Sequence, residues 1–347
     1  MEKLYFASDY QEGTHPEILK RLTETNLEST SGYGTDEYSE HARELVREAC
    51  EAPNAQVQFL VGGTQVNAVM ISAMLRSYEG VVSATTGHVG GHEAGAIEYT
   101  GHKVLTIPGV CGKIRAEDLE QYLTDSFADG NLDHMVHPGM VYISQPTEYG
   151  TLYSLAELEA IRGICDRFGI RLYLDGARLA YALACRENDV TLPDLARLTD
   201  AFYIGGTKCG CLFGEAVVIP DPALIPHFFT IVKQHGALLA KGRIAGLQFE
   251  TLFAQREGGR LYDRVGEQAL AAAERIRAAL KEKGYRFAME NPTNQIFVVM
   301  DHAKLERFGA QVEYSFWEKA GENESVIRIA TSWATADENV DKLIELL

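Results

Sequence analysis

The chain predicts an α/β protein: a mostly parallel, doubly wound sheet followed by a smaller C-terminal α+β domain. Three observations carry this. Short apolar, β-rich runs alternate with segments of helical period through most of the chain. Those runs are apolar on both faces, as strands of a parallel sheet covered by helices must be. Beyond about residue 246 the order changes to a long helix, two strands and a terminal helix. The division expected is therefore 1–245, with an N-terminal arm, and 246–347.

In order, Val57 to Val61 reads as a strand and Gln65 to Arg76 as a helix. Val81 to Ala84, Val104 to Ile107, Met140 to Ser144, Arg171 to Leu174 and Ala201 to Ile204 read as further strands. Ser154-Leu155-Ala156-Glu157 is a capping box opening a helix over Leu155 to Phe168, which Gly169 closes. Gly214 to Pro220 reads as one more strand, and the period turns helical from Ala223. The smaller domain holds an Ala/Arg/Glu-rich helix from Gly266 to Lys283, strands at Gln295 to Met300 and Ser325 to Ala330, and a helix from Asp337 to Leu347.

Composition narrows the function. With 347 residues, 46% hydrophobic and 23% charged, the chain can bury a large core. A net charge of -17 with no local basic patch argues against nucleic acid and anionic membranes as partners. The six scattered cysteines form no Cys-x-x-Cys pair and have no histidine at metal spacing, so no metal site is expected and the thiols read as reduced. No membrane-length apolar run or secretory leader is visible, which predicts a soluble cytoplasmic protein.

In open α/β sheets ligands gather where strands end. Lys208, in Tyr203-Ile204-Gly205-Gly206-Thr207-Lys208-Cys209-Gly210, follows a strand among small residues that let a flat ligand approach. Partly desolvated, such an amine loses its proton more easily and forms imines with carbonyl compounds. Asp175 ends the strand of Leu172-Tyr173-Leu174-Asp175-Gly176-Ala177-Arg178, where a carboxylate needs a cation or proton donor. Capping of the next helix, or pairing with Arg178, would satisfy Asp175 alone. The Gly62-Gly63-Thr64 turn after a strand offers backbone amides to an anion, and is equally a tight turn. His88, in a glycine-rich loop, has a ring on which a flat ligand could stack. An amine for an aldehyde, a carboxylate for a ring nitrogen and a nest for a phosphate together describe a pyridoxal 5'-phosphate site.

These segments resemble the fold-type I pyridoxal-phosphate enzymes, and within them the threonine aldolases of the β-eliminating lyase superfamily. The likeness runs from Ala7-Ser8-Asp9-Tyr10 through Gly32-Tyr33-Gly34-Thr35-Asp36, Gly62 to Asn67, His88 with Glu93-Ala94-Gly95, Asp175 to Leu179 and Lys208, to Arg328 through Thr335. The resemblance implies that Lys208 bonds the cofactor aldehyde, Asp175 faces the pyridine nitrogen and His88 stacks on the ring. Gly63, Thr64, Thr207 and Arg243 would bind phosphate; Ser8, Arg178 and Arg328 would hold the substrate carboxylate. It also implies a homodimer or homotetramer with sites shared between subunits, and cleavage of L-threonine or L-allo-threonine to glycine and an aldehyde. His88 is the best base by residue type, with a bound water as the alternative.

One departure concerns the pocket. Many members carry Asn-Thr-His where this chain has Ser144-Gln145-Pro146-Thr147-Glu148-Tyr149-Gly150. Glu148 or Tyr149 could substitute in part, or serve turn and packing roles. Other reactions on the same cofactor, such as β-elimination or racemisation, and a non-catalytic cofactor-binding relative share the Lys208 and Asp175 requirement. A dinucleotide-binding dehydrogenase is disfavoured, since no Gly-x-Gly-x-x-Gly turn follows a strand.

Overall fold

A computed structural model describes residues 3–347. The strands in chain order are β1 (Leu4–Tyr5), β2 (Gln56–Leu60), β3 (Glu79–Ala84), β4 (Val104–Ile107), β5 (His137–Ser144), β6 (Arg171–Asp175), β7 (Ala201–Gly205), β8 (Glu215–Ile219), β9 (Arg286–Met289), β10 (Gln295–Asp301), β11 (Val312–Glu313), β12 (Ser315–Lys319) and β13 (Glu324–Ala330). Seven of them form the main sheet in the order β2-β8-β7-β6-β5-β3-β4. β8 runs antiparallel to both its neighbours, and the other pairings are parallel.

Successive side chains on these strands enter two different cores, which is why the strand sequences lack a polar face. Val141, Ile143, Leu172, Leu174, Phe202 and Ile204 point to one side, against helices that include Leu155–Phe168 and Arg243–Phe253. Met140, Tyr142, Tyr173, Ala201 and Tyr203 point to the other, beneath the helix Gly63–Met74. The fold class read from the sequence is thus observed, and the capping box of Ser154 with Glu157 forms as expected, with Gly169 at φ 65° ending that helix. Gly176 is required by close approach: a Cβ there would come within 2.0 Å of the Tyr203 carbonyl oxygen.

The C-terminal sheet is antiparallel in the order β12-β13-β10-β9. It packs on the helices Leu261–Glu282 and Asp337–Leu346 through Ile296, Val298, Ile327, Ile329, Ala273, Ile276, Val340 and Leu343. Phe6 joins this core, and β1 pairs in parallel with β11. The chain's start is therefore stitched to its end. Helix Arg243–Phe253 carries the chain unbroken through position 246, with Phe249, Leu252 and Phe253 in the core of the main sheet. The sequence reading did not assign β1, β9, β11, β12 or the helices Pro16–Glu24 and Glu37–Ala49.

Candidate functional site

A cavity of about 290 Å³ opens at the carboxyl ends of β5, β6 and β7. Gly62, Gly63, Thr64, His88, Glu148, Asp175, Arg178, Thr207 and Lys208 are among its lining residues. Seven of the ten residues singled out from the sequence thus meet here. Ser8, Arg243 and Arg328 do not line it. A larger cleft, about 840 Å³, lies between the two sheets' helices near Cys185 and Arg277. Two of its basic groups are already engaged, Arg277 with Glu274 and the Thr293 carbonyl, and Lys281 with Glu290. Those seven residues singled out from the sequence line the smaller cavity and not the larger cleft.

Asp175 ends β6 with its side chain buried, and four donors hold it. Tyr203 donates its hydroxyl to Oδ1, as does the backbone N–H of Ala177 at 3.0 Å; Oδ2 accepts from Tyr142 Oη at 2.7 Å and Asn67 Nδ2 at 3.0 Å. Burial alone would raise this carboxyl, but the hydrogen bonds, led by Tyr203, and the nearby His88 hold it below the usual carboxylate range. An anion is thereby fixed at the cavity wall. Asn67 is oriented in turn by Tyr173, which donates to its Oδ1 at 2.9 Å.

Lys208 makes no ion pair or hydrogen bond through Nζ with the described residues. Burial, with the Arg178 cation beside it, pulls the ammonium below the ordinary lysine range, against the attraction of Asp9 and Asp175. An amine that readily sheds its proton faces a fixed carboxylate. Glu215, at the start of β8, accepts from the Gly206 N–H at 2.8 Å, and burial pushes its carboxyl up. Thr207 receives the Gly214 N–H on its hydroxyl at 3.0 Å, which braces the turn carrying Lys208.

Helix Gly63–Met74 begins at the cavity, and its cap residue Gly62 has no side chain to satisfy the first amides. Those amides and the Thr64 hydroxyl offer an anion site at the positive end of a helix dipole. A Cβ on Gly63 would meet the Tyr203 hydroxyl at 3.0 Å, so the smallest residue keeps this end of the cavity open. Across the cavity, His88 Nδ1 lies 2.8 Å from Glu93 Oε1, which also accepts from Asn67 Nδ2 at 2.7 Å. The His88 side chain remains 37% exposed, while that of Glu93 is 0% exposed.

Arg178 and Arg328 are both held by the N-terminal arm. Arg178 donates from Nε and Nη2 to both oxygens of Asp9, at 2.6 and 3.1 Å, and Asn294 Nδ2 donates to the same carboxylate at 2.9 Å. Although burial disfavours its charge, Arg178 and Lys208 hold the Asp9 carboxyl at about 2. Arg328 donates to the Ala7 carbonyl at 2.9 Å and to Gln295 Oε1 at 3.0 Å, and its guanidinium stands 5.6 Å from the Trp317 ring centroid. Burial and Arg178 lower its ordinary value to about 10. Ser8 sits between Ala7 and Asp9, half-buried. Arg243 is elsewhere: Nη2 donates to the carbonyls of Thr25 and Asn26, and the buried Nη1 has no partner among the described residues.

In the Ser144 to Gly150 segment, Gln145 bonds both ways to the Tyr153 backbone, and Tyr149 packs with Phe297 and Trp317. Glu148 alone of that segment's candidate substitutes reaches the cavity. Sequence reasoning gave no role to Asn67, Tyr142, Tyr203, Asp9, Glu93 or Glu215. The tyrosines carried a signal: Tyr142 and Tyr173 are in register on neighbouring parallel strands, and Tyr203 follows on the next.

Comparison with known proteins gives a consistent picture. Residues 6–303 match the beta-eliminating lyase family. A solved threonine aldolase from Leishmania major superposes with a TM-score of 0.94 at 40% identity, covering 99% of this chain and 98% of that one. The low specificity L-threonine aldolase of Pseudomonas aeruginosa is 29% identical over 340 residues, 97% of this chain and 95% of that protein. Aspartate aminotransferase from Thermus thermophilus shares the fold alone, with a TM-score of 0.72 at 14% identity over 99% of this chain and 91% of its own.

Proposed function

The chain belongs to the beta-eliminating lyase family, and from that membership and the cavity's geometry we propose a pyridoxal-phosphate-dependent aldolase that cleaves L-threonine or L-allo-threonine to glycine and acetaldehyde. The observation that carries it is one cavity holding an easily deprotonated Lys208, a fixed Asp175 anion and the open amides at Gly63 and Thr64. The residues present suit this cofactor: an amine without a partner, a carboxylate for a protonated pyridine and an anion nest kept open by glycine. Bound there, the cofactor supplies an aldehyde for imine exchange and a ring that takes up the electron pair of a bond broken at Cα.

The chain's own residues do the rest. Lys208 would hold and release the cofactor aldehyde, Asp175 would keep the ring nitrogen protonated, and Gly63, Thr64 and Thr207 would receive the phosphate. His88, tethered to Glu93, would be the group that stacks on the ring. Arg328 and Arg178, with Ser8 beside them, receive the substrate carboxylate and so decide which Cα bond stands perpendicular to the ring. Residues 1–245 then supply the cofactor site and 246–347 bring Arg328, with helix Arg243–Phe253 spanning both. Arg243, which does not line its own subunit's cavity, would meet a neighbouring subunit's phosphate in a homodimer or homotetramer. Incubating the cofactor-loaded protein with β-hydroxy amino acids tests the reading: glycine with an equimolar aldehyde is expected, whereas pyruvate with ammonia, or a D-amino acid, would refute it.

A further inference from the structure

Breaking Cα–Cβ in a β-hydroxy amino acid needs an acceptor for the hydroxyl proton. Besides Lys208 and the phenols of Tyr10 and Tyr203, the cavity offers five carboxylate or imidazole acceptors: His88, Glu93, Glu148, Asp175 and Glu215. Four are already spent. Both oxygens of Asp175 are saturated by its four donors. Glu93 is sealed, with Oε1 shared between Asn67 and His88. Glu215 is bound to the Gly206 amide and the Thr207 hydroxyl below Lys208. His88 commits Nδ1 to Glu93, and stacked on the cofactor as the reading above has it, the imidazole would direct its nitrogens sideways in its own plane, away from groups standing above Cα.

Glu148 is built differently. Its Oε1 accepts from the His88 backbone N–H at 2.9 Å and from Ser144 Oγ at 2.8 Å, so the carboxyl is aimed by a backbone group that cannot rotate away. Its Oε2 has no hydrogen bond among the described residues, and Glu148 lines the cavity. We propose that Glu148 accepts the β-hydroxyl proton of the substrate, an inference that rests on the aldolase reading above. In this step the O–H proton passes to Oε2 and its bonding pair forms the aldehyde C=O. The Cα–Cβ pair stays with Cα, which then gains one proton to give glycine, and Glu148 returns its own to solvent. No net proton is taken up or released. Burial, opposed by these two donors and reinforced by the Asp175 anion, raises the Glu148 carboxyl, which favours holding the proton while the aldehyde leaves. Ser144 Oγ also stands 3.3 Å from Tyr142 Oη, which donates to Asp175.

The test is Glu148→Gln, which keeps the shape and the Oε1 acceptor. Cleavage kcat should fall by about 10²–10⁴-fold, the usual range for a lost acid-base group, while KM changes by less than about threefold. The absorbance of bound cofactor, its titration with L-alanine and the exchange of the glycine α-hydrogen in heavy water should all persist, showing the site intact. Glu148→Asp should recover part of the cleavage. Equal aldehyde release by wild type and Glu148→Gln would overturn the role of Glu148 alone, and joint loss of exchange and cleavage would reduce it to a structural one. A wild-type protein that exchanges glycine hydrogen yet releases no aldehyde from any β-hydroxy amino acid would overturn the aldolase reading and this step with it.

Discussion

Asp9→Asn is the most informative single change outside the cavity wall. The carboxylate is 0% exposed, receives two bonds from Arg178 and one from Asn294, and is held at about 2 against an ordinary 3.8. A depressed carboxyl stabilises the folded state above its unfolded value, and the contribution disappears as pH falls through the folded one. From that difference, it is worth about 2 kcal/mol at neutral pH and about half that at pH 3. Replacing it also strands the Arg178 cation in a buried setting, and breaking such a pair costs roughly 3–5 kcal/mol. For a chain of this length a loss of about 2–5 kcal/mol lowers the melting temperature by about 3–7 °C. Calorimetry of wild type and variant between pH 7 and pH 3 measures it. The gap should be constant from pH 7 to about pH 5 and narrow below about pH 4. A variant as stable as wild type at pH 7, or a gap that widens on acidification, would refute the reasoning.

Other changes probe the cavity. Lys208→Ala should abolish both the borohydride-sensitive absorbance of the cofactor and turnover; retention of either would remove the lysine from its central role. Arg328→Leu should raise KM for the amino acid by about 10–150-fold, the worth of one charge-assisted hydrogen bond, with cofactor retention unchanged on dialysis. Tyr203→Phe removes the first of the hydrogen bonds that hold Asp175 anionic, so the carboxyl should rise and kcat fall by about tenfold or more with KM little altered. Unchanged kcat would show that Tyr142, Asn67 and the Ala177 amide suffice.

Much of this was legible in the sequence because parallel strands buried on both faces cannot hide a charge. Asp175 and Lys208 stood out as polar groups ending apolar runs, and both line the cavity. The supporting tyrosines did not, since an aromatic side chain inside a strand satisfies the apolar pattern whether or not its hydroxyl has work to do. Which face Tyr142 and Tyr203 occupy follows from strand register, and Asn67 reaches Asp175 only because the helix after Gly62 crosses that face. The sequence left Glu148 open between a partial substitute for the missing histidine and a turn residue; the fold brings the His88 amide to it. The two-residue strands β1 and β11 offered too few residues for a period, β12 is an edge strand with no buried face, and β1 forms only with a partner some three hundred positions away.

That last pairing has a bearing on how the protein is made. Arg328 reaches back 321 residues to the Ala7 carbonyl, and β1 waits for β11 before it can form. At about 5–20 residues per second, the first ten residues leave the ribosome roughly 15–65 s before their partners are synthesised. During that interval Asp9 and Arg178 can meet, but Arg328 does not yet exist. A chain released early would carry the cavity with its lysine and carboxylate and lack one of its two arginine clamps, so completion of the anion-binding end reports that translation has run to the last strand.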